Sequence, residues 1–108
     1  MENNDARLIP RYRFSVEMEI TEMQSGIQFW ARSTGLSLFG CGVEGPQLLS
    51  KGTRLRVKLH HGRAIVEVIA RVVYASPEAG MGLIFTSIES EGDRILEGWV
   101  AELAAVPH

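Results

Sequence analysis

Apolar and polar residues alternate from Phe14 to Thr21. Phe14, Val16, Met18 and Ile20 share one face, and Ser15, Glu17, Glu19 and Thr21 share the other. Period two predicts a half-buried strand. Gln24-Ser25-Gly26 reads as a turn, and Ile27 to Ser33 as a second, aromatic-rich strand. Thr34-Gly35 interrupts it, and extended character resumes from Leu36 to Glu44. Gly40 and Gly42 within that third run predict a bulge, or a backbone that something else approaches closely. After Gly45-Pro46, Leu55, Val57 and Leu59 alternate with Arg54, Arg56 and Lys58 in a strand over Thr53 to His60. His61-Gly62 is a hairpin signal, Ala64 to Tyr74 a long β-branched strand, and Met81 to Thr86 the last strand.

The period then changes. Ile95, Leu96, Trp99, Val100 and Leu103 recur at helical spacing and make one apolar stripe. Ser90 suits an N-cap, with Glu91 and Asp93 in the first turn, where the helix dipole favours carboxylates. Pro107 ends the helix. Trp99 is expected in the core, and so is Trp30, whose alternative is a surface on which a ligand stacks. Six short strands and one amphipathic helix predict an all-β fold, a small six-stranded antiparallel β-barrel with a C-terminal α-helix. Residues 1–12 form a separate extended N-terminal arm, and residues 13–104 form the barrel and its helix. Pro10 drives Ile9 toward an extended conformation, which disfavours a helix across Arg7 to Arg11.

Composition narrows the function. The chain has 108 residues and a formal net charge of −2, enough for a single core. A pI near 5.9 argues against bulk attraction to nucleic acid. No apolar run approaches the roughly 20 residues of a membrane span, so no membrane insertion is expected. The acidic start, Met1 to Asp5, is unlike a signal peptide. A single cysteine, Cys41, rules out an intrachain disulfide. A cytoplasmic protein, a monomer or weak homodimer, is expected. The positive charge is unevenly placed: Arg7, Arg11 and Arg13 crowd the N-terminus, while Glu89, Glu91, Asp93, Glu97 and Glu102 load the other end. A local anion site is therefore compatible with an acidic chain.

Two short motifs carry the candidate chemistry. Arg7-Leu8-Ile9-Pro10-Arg11 sets two arginines four apart on the arm, and Gly35-Leu36-Ser37-Leu38-Phe39-Gly40 follows 24 residues after Arg11. An arginine fork bonds a phosphate bidentately, pairs with guanine O6 and N7, and stacks on a base. With Lys51 to Leu55, Arg71 to Tyr74 and Gly80 to Phe85, the ordered set resembles the PilZ domain, a bacterial receptor module for cyclic di-GMP. Its signatures read RxxxR, [D/N]xSxxG and GxGxxF. The resemblance runs from about Arg7 to Leu103.

It implies a PilZ-like split barrel and a receptor for cyclic di-GMP that signals to an unidentified protein partner as its arm becomes ordered. Arg7 and Arg11 would clamp the ligand, Ser37 would hydrogen-bond it, and Gly40 would admit it close to the backbone. It implies no enzyme activity and no cofactor besides that ligand. Gly35 departs from the pattern, standing where the family has Asp or Asn, a side chain that would accept hydrogen bonds from the guanine edge. Losing one such contact costs about 1–3 kcal/mol, or roughly fivefold to 150-fold in affinity. Binding then survives more weakly, or Ser33 or Thr34 compensates, or the domain is an interaction module that does not bind nucleotide.

Other candidates read as structure. Adjacent His60 and His61 point to opposite faces of a strand, poor metal-ligand geometry, and belong to a surface hairpin. Gly80-Met81-Gly82 lacks the following helix of a dinucleotide loop. No catalytic constellation emerges.

Overall fold

The strands are β1 (Glu17–Glu22), β2 (Gln28–Leu36), β3 (Gly40–Glu44), β4 (Arg54–His61), β5 (Ala64–Ser76) and β6 (Gly80–Ile88), followed by helix α1 (Gly92–Ala105). They come from a computed structural model that describes residues 14–105. The arm over residues 1–12, with Arg7 and Arg11, lies outside the described residues. Every pairing is antiparallel, and the strands close into a barrel in the order β1-β2-β3-β6-β5-β4. The six-stranded barrel with a C-terminal helix is thus the observed architecture. Closure of β1 on β4 leaves no free sheet edge, so every strand has partners on both sides.

The alternating residues face inward as their pattern requires. Met18 and Ile20, Leu55, Val57 and Leu59, Val66, Val68 and Val72, and Cys41 and Val43 are all buried in one core. Helix α1 packs against β5 and buries Leu96 and Trp99. Among the described residues, no helix is long and apolar enough to cross a membrane.

Several local expectations change. β2 does not break at Thr34-Gly35 but runs on to Leu36, and the chain turns at Ser37 to Phe39. The bulge lies in β2 rather than β3. Ser33 pairs with Val43 and Gly35 with Gly42, so Thr34 is the extra residue, while β3 keeps regular register with β6. Helix α1 starts at Gly92, one residue after Glu91, which takes a left-handed φ of 75°; Ser90 is not the residue preceding the helix. Trp30 is not in the core. It is 54% exposed, because it alternates with inward Phe29 and points to the outer face, its ring 5.3 Å from that of His60.

The two histidines end β4 and are half-buried; the turn itself is Gly62-Arg63. His61 lies between two aromatic rings, with centroids 4.7 Å from Phe14 and 5.2 Å from Trp99, both edge to face. It therefore links the start of the barrel to the helix.

Candidate functional site

The second motif folds into the β2–β3 hairpin. Gly35 is in β2, Ser37 opens the turn, and Gly40 begins β3. Ser37 is 3% exposed. Its hydroxyl accepts from the amides of Phe39 at 3.1 Å and Gly40 at 3.2 Å, and faces the Gly40 carbonyl at 3.3 Å as donor. One donor and two acceptor sites are thereby used, the full capacity of a hydroxyl. The Ser37 amide also donates to the Gly40 carbonyl, at 2.9 Å. Ser37 thus builds the turn and sets the position of Gly40.

Gly40 is glycine because β6 runs against it. A Cβ there would collide with the Leu83 carbonyl oxygen. The tip of the turn is apolar and open, with Phe39 56% exposed.

The bulge decides what faces outward beside the motif. Ser33 points inward and Leu36 is fully buried opposite Cys41. With Thr34 inserted, Thr34 and Gly35 both fall on the outer face, since a bulge sets two successive residues opposite one; there Thr34 is exposed and Gly35 is buried. Gly35, Gly42, Gly82 and Tyr74 then form one row across four strands. The Tyr74 ring covers Gly82, and Thr34 Oγ1 occupies the space that a Cβ on Gly42 would need. Gly35 itself has no positive φ, so its backbone is ordinary strand.

Ser33 fixes the base of the arm to this strand. Its hydroxyl donates to the Phe14 carbonyl at 2.6 Å and accepts from the Val16 amide at 2.9 Å. Its amide donates to the Val16 carbonyl at 3.0 Å. Ser33 is therefore committed inward and does not stand in for the side chain missing at Gly35. Ser33→Ala leaves the buried Val16 amide and the half-buried Phe14 carbonyl short of a partner. It is expected to cost about 1–2 kcal/mol and lower Tm by roughly 5–10 °C, read by a thermal melt.

Three of the expected site residues, Gly35, Ser37 and Gly40, are thus brought together, while Arg7 and Arg11 lie outside the described residues. Sequence reading passed over Ser33 as the anchor and Tyr74 as the cover of Gly82. The glycines at alternate positions 40 and 42 were the available signal for a close approach, and Thr34 is what makes it at Gly42. Among the described residues, no group of three or more His, Cys, Asp or Glu side chains is placed to hold a metal.

Comparisons with known proteins agree with this geometry. The barrel superposes with a TM-score of 0.69 on the PilZ domain with cyclic di-GMP of YcgR from Escherichia coli, at 16% identity and 89% coverage of each chain. A PilZ domain of CeSA from a cellulose-synthesizing bacterium gives the same score at 18% identity, covering 88% of this chain and 98% of that one. The Bacillus subtilis inhibitor of motility MotI also gives 0.69 at 16% identity, with 99% of this chain covering 55% of that one. No curated protein matches in sequence. At such identities the superpositions speak for the fold alone, but a sequence model described as PilZ domain matches residues 5–102. With nearly its whole length matched and the hairpin built as described, the chain belongs to the PilZ domain family.

Proposed function

We propose that this domain is a receptor for cyclic di-GMP, the ligand its family is built to receive. The observation that carries the reading is the convergence at β2. The strand that holds Gly35 and leads into the Ser37–Gly40 turn also holds Phe14 and Val16 through Ser33. Arg11 precedes Phe14 by three residues, so covalent geometry limits its Cα to within about 10 Å of that anchor. A tether of that length would let the arginines reach the outer face of the hairpin. Arg7 and Arg11 supply phosphate and guanine contacts, and the Ser37 turn shapes the opposite wall. Ligand capture orders the arm, and a protein partner senses the changed surface.

A second reading is an interaction module that has kept the fold without the ligand. It is favoured by the missing side chain at Gly35 and by the complete use of the Ser37 hydroxyl within its own turn. Isothermal titration with cyclic di-GMP separates the two. Saturable heat is expected; no heat at high-micromolar protein sinks the receptor reading and favours the second.

The ordinary strand backbone of Gly35 allows a direct check. Gly35→Asp restores an acceptor on the outer face and is expected to tighten binding about tenfold, at about 1–3 kcal/mol per contact. A thermal melt of the same variant monitors the fold, and unchanged affinity in a folded variant would show that guanine is not read at this position.

A further inference from the structure

We infer that Thr34 supplies the guanine-edge hydrogen bond that Gly35 cannot, and that the site therefore separates guanine from adenine less sharply than one carrying a carboxylate. The inference rests on the cyclic di-GMP reading above. It starts from the bulge. In a regular strand Thr34 and Gly35 would lie on opposite faces, but here the register shift puts both on the outer face. Thr34 is exposed, and its Oγ1 lies against Gly42, the residue paired with Gly35. The hydroxyl thus stands in the same row as the missing side chain. Among the described residues it makes no hydrogen bond. Ser33, the other neighbouring hydroxyl, is bonded inward to Phe14 and Val16. The Tyr74 hydroxyl bounds the row beyond Gly42, 3.9 Å from where a Cβ on Gly42 would lie.

The chemistry of the substitution follows. A carboxylate only accepts, so it matches guanine N1–H and N2–H and opposes the bare N1 of adenine. A hydroxyl both donates and accepts. It gives guanine one neutral bond in place of a charged pair, and it can turn to donate to adenine N1.

Titrations of the wild type, Thr34→Val, Gly35→Asp and the double variant with cyclic di-GMP and cyclic di-AMP test this. Thr34→Val keeps the β-branched shape and removes the hydroxyl. It is expected to weaken cyclic di-GMP binding about threefold to tenfold in the wild type, and to have little effect once Gly35→Asp supplies the acceptor, a coupling that a double-mutant cycle isolates. The ratio of the two affinities is expected to widen at least tenfold in Gly35→Asp relative to the wild type. Equal affinity of wild type and Thr34→Val, or an unchanged ratio in Gly35→Asp, overturns the inference and leaves the receptor reading standing. A wild type that binds neither dinucleotide overturns both. Should Thr34→Val fail to fold, the ratio in the wild type and Gly35→Asp decides alone.

Discussion

Gly40→Ala is expected to lower the stability of the barrel by about 2–4 kcal/mol, a fall in Tm of roughly 10–25 °C for a domain of this size. The added methyl meets the Leu83 carbonyl oxygen and then the Ile84 backbone, not the end of a mobile side chain. Gly40 pairs with Ile84, and its carbonyl accepts from the Ser37 amide, so relief would have to come from moving β3 away from β6 or from opening the turn. Gly98→Ala is the opposing control. Gly98 lies within α1 with open space around it, so alanine there is expected to stabilise by about 0.8–1 kcal/mol through helix propensity. Thermal melts of both variants measure the contrast. A Gly40→Ala protein melting with the wild type would show that the strand spacing is not what requires glycine.

The second large effect concerns the arm. Arg7→Ala combined with Arg11→Ala is expected to weaken cyclic di-GMP binding by at least a hundredfold. Each guanidinium contact to a phosphate or base is charge-assisted and contributes about 1.5–3 kcal/mol, and both contacts are lost together. Each single variant should lose roughly tenfold to 150-fold. The melting temperature should barely change, because the described core and the Ser33 anchor contain neither arginine. Titration calorimetry reads the first quantity and a melt the second. Wild-type affinity in the double variant would move the ligand to another face of the barrel.

How much of this was legible in advance differs element by element. The strands at Met18–Ile20, Leu55–Leu59 and Val66–Val72 and the Leu96–Trp99 stripe could be read directly, because their periods of 2 and 3.6 are local properties of a chain with one wet and one dry face. Trp30 misled. It directly follows Phe29, and two successive aromatic residues hide the alternation, so only the pairing of β2 shows that Phe29 faces inward and Trp30 outward. The motif residues Gly35, Ser37 and Gly40 were found in the right order but with incomplete roles. Ser37 looks like a ligand donor in sequence, and its bonds to the Phe39 and Gly40 amides appear only when the turn closes.

The sequence by itself determined the barrel class, the count of strands and the terminal helix, since hydrophobic periodicity and turn residues act over a few neighbours. The tertiary structure alone decided the bulge at Thr34, the inward commitment of Ser33, the cover of Tyr74 over Gly82, and the contact of His61 with both Phe14 and Trp99. Each of these depends on which residue of a distant strand or helix stands opposite. That choice is made by closing the barrel around one core, where a one-residue shift in register turns every following side chain to the other face.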